Sequence, residues 1–336
     1  MERSDIFKDM ENDVYSSNFD EETKSKLYNN IRKLKAEKIN LLITGATGSG
    51  KSSTINALFD IDIAKVGMGV DPETMDIKKF ELENLILWDS PGLGDGKEKD
   101  IQHSKGIINK LNELDEHENS LIDMVLVILD GSSRDLGTSY ELINSVIIPN
   151  IGENPEKRII IAINQADVAM KGKYWNEIEN RPEKELEDFL NEKVDSVKKR
   201  IKEGTGLDIE PIYYSAGYKD KDTKQRPYNL SKLLYLIVKN TPTNKRLAYA
   251  NNISNDKNMW ESNDTVLDYN AKIKESLIES IIGGVSRGVE LGGQLGSVFG
   301  KTGETIGKIA GGVIGGLASG GIEVVKGIGK FFKSWF

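Results

Sequence analysis

Apolar residues recur at helical spacing at the start of the chain. Ile6, Met10 and Val14 fall at steps of four, and Leu27, Ile31 and Leu34 at steps of four and three, which predicts amphipathic helices before residue 38. The pattern then changes. Residues 38–44 (KINLLIT) are short, apolar and rich in β-branched side chains, which predicts a buried strand. Further strand-like runs are FELENLILW (80–88), LIDMVLVIL (121–129), RIIIAIN (158–164) and IEPIYYS (209–215). Helix-like runs lie between them, notably 182–202 and 230–239. This alternation predicts an α/β fold, a parallel-rich sheet with helices on both faces. Pro242 marks where the last helix of the block must stop. From about 245 to 280 the pattern is polar and helical, without a strand signal. The expected organisation is an N-terminal helical segment (1–37), an α/β domain (38–243), a helical connector (244–280) and a distinct C-terminal region (281–336).

That last region holds 17 of the 33 glycines and no proline. Gly284, Gly288, Gly292, Gly296 and Gly300 are spaced by four, and Gly303, Gly307, Gly311 and Gly315 repeat the spacing. Gly312, Gly316 and Gly320 form a neighbouring row. Steps of four place glycine along one helix face, a smooth groove for another helix. Each helical glycine costs about 1 kcal/mol relative to alanine. Seventeen would cost on the order of 15 kcal/mol, a whole domain's stability, so tight helix packing or a membrane must offset it. Residues 309–322 carry no charge, yet this run is shorter than the about 20 residues that span a bilayer. The end, KFFKSWF (330–336), combines cations and aromatic rings, which suits a headgroup layer. Membrane association, a glycine-zipped hairpin packed on the body, and a flexible tail all remain open readings.

Composition narrows the chemistry. With 336 residues, about 150 per domain suggests two domains. There is no cysteine, which excludes disulfides, cysteine–zinc sites and thiol catalysis. Two histidines, His103 and His117, are too few for a histidine-built metal centre. The net charge is −8, whereas the C-terminal region has six basic residues against three acidic ones. An acidic body argues against a chain whose main task is to grip nucleic acid. The opening MERSDIFKDMENDVY lacks an apolar signal core, so a cytoplasmic protein is expected, peripheral at the inner face of the membrane if the tail binds there.

Residues 45–52 read Gly45, Ala46, Thr47, Gly48, Ser49, Gly50, Lys51 and Ser52, the G-x-x-x-x-G-K-[ST] pattern between a strand and the helical run STINALF, which opens on Ser53 in the nucleotide-contact set. Glycine lets successive N–H groups turn inward on a phosphate. Lys51 supplies a cation to the β and γ phosphates, and the Ser52 hydroxyl can ligate Mg²⁺. Asp89, Ser90, Pro91 and Gly92 follow the strand NLILW. The Asp89 carboxylate can hold the Mg²⁺, and the Gly92 N–H can reach a γ-phosphate. Thr74, in the glycine-rich segment between the two motifs, is a candidate third metal ligand. Asn164, Gln165, Ala166 and Asp167 follow the strand RIIIAI. A carboxylate there matches the N1–H and N2–H₂ donors of guanine, which adenine lacks, and leaving it unpaired is costly. Ser215 and Ala216, after PIYY, would bring a backbone N–H to guanine O6. Each short motif is weak alone. Four in order, each at the C-terminal end of a strand, are much stronger.

On these motifs, residues of about 38–240 resemble a Ras-like P-loop GTPase domain of the translation-factor-related class, in the branch that includes Era. The strings TGATGSGKSSTINALF and LWDSPGLGDG look closest to a bacterial family placed near Era and ribosome-binding GTPases, and also resemble septins and immunity-related GTPases. The resemblance implies a six-stranded sheet, GTP and GDP as ligands with Mg²⁺, two switch loops, and hydrolysis in which Lys51, Thr74 and Gly92 take part. Dimerisation across the nucleotide face is what septin-like relatives would allow. A ribosome or RNA partner is the alternative, although no KH signature or basic RNA-binding domain is visible.

Two positions depart from the family pattern. Gln165 stands where many GTPases have lysine, which implies weaker affinity with specificity kept. Leu93 stands where Ras has a water-orienting glutamine, which implies slow intrinsic turnover and a catalytic group from elsewhere. Gly48 stands where potassium-dependent relatives carry asparagine, so that route is not expected. Among the remaining candidates, His103 is expected to face solvent rather than assist catalysis. Arg134 reads as a surface arginine, with a finger in trans as the sharper reading. Trp88 is expected to pack in the core, and the charge-dense helix 182–202 to present a solvated face.

Overall fold

A computed structural model describes residues 5–17, 19–59, 77–94, 96–219 and 224–285. Thr74 and the glycine rows from Gly288 onward lie outside the described residues. Contacts divide the chain into two units. The larger takes Ile39–Thr241 and Asn252–Tyr269. The other draws its described residues from both ends of the chain and from Pro242–Asn251.

In the smaller unit, α1 (Ile6–Ser16) starts where the Asp5 carboxylate accepts from the Phe7 N–H at 2.9 Å. Helix α2 (Glu21–Ala36) starts the same way, with Asp20 capping Thr23 at 2.8 Å. Such side-chain caps satisfy N–H groups that a first turn leaves open. The two helices bury the periodic set of Ile6, Met10, Val14, Leu27, Ile31 and Leu34 against each other and the rest of the unit.

The larger unit begins with β1 (Ile39–Gly45), all seven residues buried, and α3 (Lys51–Phe59). Next come β2 (Lys78–Glu81), β3 (Leu85–Asp89), α4 (Lys97–Leu111) and β4 (Met124–Asp130). After β4 the chain winds through α5 (Gly137–Glu141), a π-helical turn over Leu142–Ile147 and a short turn at Ile148–Asn150. Then follow α6 (Pro155–Arg158), β5 (Ile159–Asn164), the small hairpin of β6 (Trp175–Asn176) and β7 (Arg181–Pro182), and α7 (Lys184–Thr205). The unit closes with β8 (Ile212–Tyr213), a second hairpin of β9 (Tyr218–Lys219) and β10 (Lys224–Gln225), and α8 (Leu230–Asn240). Helix α9 (Tyr269–Val285) runs from the end of this unit into the other.

Among the described residues, six strands form one sheet in the order β2-β3-β1-β4-β5-β8. All pairs are parallel except β2 with β3. The run FELENLILW, expected as one strand, is therefore two antiparallel strands, because Glu83 and Asn84 turn the chain. Alternate residues of each central strand bury on opposite faces, as the pleat requires. Leu42, Val127 and Ile161 lie in one core with α4, the π-helical turn and α7, while α3 and α8 contact each other and the β1 and β5 strands.

Gly284, the first position of the glycine row, packs against Leu34 of α2, where a Cβ would collide with the leucine side chain. Among the described residues, no helix is long and apolar enough to cross a membrane.

Candidate nucleotide site

The strand order reverses beside β1, and a parallel sheet opens its binding crevice at the carboxyl ends of strands at such a point. The loop 46–50 lies there, between β1 and the first turn of α3. Gly50 has φ +88°, and a Cβ on it would run into the Asn164 amide, so only glycine fits. The Lys51 ammonium donates to the carbonyls of Gly45 (3.2 Å) and Ala46 (3.1 Å). These two bonds hold the ammonium over its own loop. Ser52 and Ser53 are exposed on the first turn of α3, whereas Ser49 is fully buried and its hydroxyl has no partner.

Asn164 joins three of the predicted motifs. Its amide donates to the Ser49 carbonyl at 2.9 Å, and its oxygen accepts from the Ala216 N–H at 3.0 Å. Gln165, in a left-handed conformation at φ +62°, donates to the Gly48 carbonyl at 2.7 Å and so lies along the phosphate loop. Asp167 is buried two residues further on. Ser215 pairs with Tyr228 through both backbone groups, at 3.0 and 2.9 Å. The N–H groups of Ser215 and Ala216 are thus already engaged, and the Ala216 N–H must be shared with Asn164 to reach a base oxygen. Tyr214, fully buried, ties this segment to α3: its hydroxyl lies 2.6 Å from Thr54 Oγ1, which also bonds the Gly50 carbonyl.

Asp89 pairs in register with Ile43 at the end of β3. Its Oδ1 is buried with no hydrogen-bond partner. Burial pushes its carboxyl above the usual carboxylate range, while the Lys51 and Lys78 cations oppose that shift. An anionic oxygen desolvated and left unpaired is what a divalent cation would satisfy. Ser52 and Asp89 therefore fit Mg²⁺, which when bound would supply positive charge to a phosphate chain.

The segment after Asp89 folds onto the phosphate loop. The Thr47 N–H donates to the Leu93 carbonyl at 2.9 Å, and the Leu93 N–H approaches the Gly45 carbonyl at 3.4 Å. A Cβ on Gly92 would come within 2.6 Å of the Thr47 backbone. Leu93 itself is 5% exposed and belongs to the core, so it offers no polar atom to a water.

The expectation for one further side chain changes. His103 does not face solvent: it is 5% exposed, with Nδ1 2.9 Å from the Gly92 carbonyl oxygen. Trp88 packs against the core as expected, but is only half-buried, its indole N–H donating to Asn40 and its ring 3.9 Å from the Lys110 ammonium. The charged face of α7 is exposed as expected, with Lys193 as an exception: it bonds the carbonyls of Gly131 and Ser133 at 2.6 Å each, and burial lowers its affinity for a proton. That anchors the loop carrying Arg134, which is exposed as expected. Helical spacing held the clue to His103, since 103, 107 and 111 fall at steps of four. Nothing in the sequence marks Lys193.

A family model described as 50S ribosome-binding GTPase matches residues 40–165. That span includes the whole phosphate loop, Asp89 to Gly92, and Asn164 with Gln165, and stops short of Asp167. Interferon-inducible GTPase 1 of Mus musculus is 35% identical over 78 residues, 21% of this chain and 19% of that protein. Escherichia coli K12 YkfA is 30% identical over 131 residues, 38% of this chain and 41% of that one. The chain thus aligns with less than half the length of these curated relatives. Among solved structures, Toc33 from Arabidopsis thaliana with Mg²⁺ and GMPPNP is 18% identical, covering 64% of this chain and 85% of that chain, with a TM-score of 0.38. The bacterial dynamin LeoA from ETEC is 12% identical, covering 87% of this chain and 45% of that one, with a TM-score of 0.40. Residues 40–165 thus resemble a P-loop GTPase domain, a class that works on GTP and GDP with Mg²⁺.

Proposed function

We propose that the protein hydrolyses GTP to GDP and phosphate and acts as a nucleotide switch on its glycine-rich C-terminal region, at a membrane or in an oligomer. The observation that carries this reading is the Asn164 side chain, which holds the phosphate loop and the Ala216 segment together at 2.9 and 3.0 Å. It links segments far apart in sequence. In this reading the phosphates lie on Gly45, Gly48, Ser49, Gly50, Lys51, Ser52 and Ser53. Ser52, Asp89 and Thr74 hold Mg²⁺, Gly92 meets the γ-phosphate, and Gln165, Asp167, Ser215 and Ala216 surround the guanine. Asp167 gives the choice of guanine over adenine.

Leu93 cannot orient a water, so hydrolysis depends on a group from outside the pocket. Arg134, exposed on a loop that Lys193 anchors beside Asn164, is the group a second copy would present across the nucleotide face. The packing of Gly284 on Leu34 supports close helix contacts for the first glycine of the row.

Phosphate release from GTP, measured against protein concentration with and without liposomes, tests the proposal. Turnover per molecule should rise with concentration, and Lys51→Ala should abolish it. If wild type releases no more phosphate than Lys51→Ala at every concentration, the enzyme reading fails. A ribosome-associated role is favoured only by the description of the matching family. Cosedimentation with ribosomes, with no liposome flotation in any nucleotide state, would select it over the membrane switch.

A further inference from the structure

His103 sits in an apolar place on α4, one turn before Ile107 and two before Leu111, and both leucine-like positions are buried in the core. A histidine there has to satisfy its ring nitrogens or forfeit hydrogen bonds to water. It does so on one particular carbonyl, that of Gly92, 2.9 Å from Nδ1. A carbonyl oxygen only accepts, so Nδ1 carries the hydrogen, in the neutral and the charged ring alike.

That carbonyl belongs to the peptide group whose N–H is Leu93's. The peptide is therefore held from two sides, by α4 through His103 and by the phosphate loop through Gly45 at 3.4 Å. The next carbonyl, Leu93's, accepts from Thr47 at 2.9 Å. Gly92 meanwhile lies too close to the Thr47 backbone for any larger residue. Gly92 thus has its carbonyl fixed by the histidine and its Cα fixed by the loop. What remains to turn is its own N–H, the group assigned to the γ-phosphate.

We propose that His103 is a positioning residue that holds the Gly92 peptide in register with the phosphate loop and thereby sets the preference for a nucleotide with a γ-phosphate over one without. GDP does not reach Gly92, so its affinity should not depend on this bond. The inference rests on the guanine-nucleotide reading of the pocket.

Calorimetry with GMPPNP and with GDP, each with Mg²⁺, tests it on the full chain. His103→Phe keeps a ring of similar size and removes the donor. It should weaken GMPPNP by about tenfold, the worth of one buried hydrogen bond, and leave GDP within about twofold. His103→Asn keeps an N–H near the Nδ1 position and should restore most of the GMPPNP affinity. An equal loss for both nucleotides, an unchanged ratio, or an asparagine variant no better than phenylalanine would reduce His103 to a packing residue and overturn the proposal. Should His103→Phe fail to fold, His103→Leu against His103→Asn makes the same comparison. If wild type takes up neither nucleotide, the pocket reading itself fails and the inference with it; normal wild-type binding with indifferent variants removes the inference alone.

Discussion

The Asn164 side chain reaches the Ser49 carbonyl across 115 positions of sequence, at 2.9 Å. Both partners are buried, and the same side chain also takes up the Ala216 N–H. Removing it leaves two backbone groups without a partner in a dry place. Asn164→Ala should lower stability by about 2–4 kcal/mol in urea unfolding. It should also weaken GTP and GDP equally in calorimetry, because it loosens the loop that both nucleotides share.

Asp89 supplies a pH test. Burial raises its carboxyl, so the folded protein holds that proton more tightly than the unfolded chain does. The stability it contributes is present at low pH and is lost as pH rises from the ordinary carboxylate value through the folded one. Without nucleotide or metal, Asp89→Asn should therefore melt higher than wild type above this window and lose its advantage below it. With GTP and Mg²⁺ the order should reverse at neutral pH, since the variant lacks the carboxylate proposed to hold the metal. Melting curves across pH, with and without Mg²⁺, check both halves.

Arg158 separates stability from function. Its guanidinium bonds the carbonyls of Asp123, Ile151 and Ile122, and burial lowers its hold on the proton. Arg158→Met should destabilise by about 3 kcal/mol because three carbonyls lose a charged donor. The ratio of GTP to GDP affinity should not move.

Gly92 is the steric test. With the Thr47 backbone within 2.6 Å of where a Cβ would stand, Gly92→Ala must push the segment off the phosphate loop. GMPPNP affinity should fall by more than tenfold while GDP stays within about threefold, as measured by calorimetry.

Much of this was legible in the sequence for a physical reason. Strands β1, β4 and β5 are buried on both faces, so each is a continuous apolar run with chemistry at its end. The glycines of the phosphate loop are dictated by close approach, as Gly50 against Asn164 illustrates. The fold was less legible where tertiary contacts decide. The β2–β3 turn carries no glycine or proline, and Leu82 hides it within an apolar run. Strand β8 is only two residues long: the Tyr214 N–H still donates to the Ile163 carbonyl of β5, but its carbonyl takes up the Ala166 N–H beyond the end of that strand. Helix α4 has a histidine in a core position, which weakens its apolar signal. Within the site, Asn164 accepts the Ala216 N–H, a bond between positions 52 apart that spacing cannot reveal.

In the proposed reading, the choice of guanine over adenine rests on the Asp167 carboxylate, and one titration addresses it. Calorimetry of the full chain with Mg²⁺ should give GTP an affinity at least about a hundredfold above that of ATP. Equal affinity for the two, or no heat of binding with either, would contradict the pocket described here.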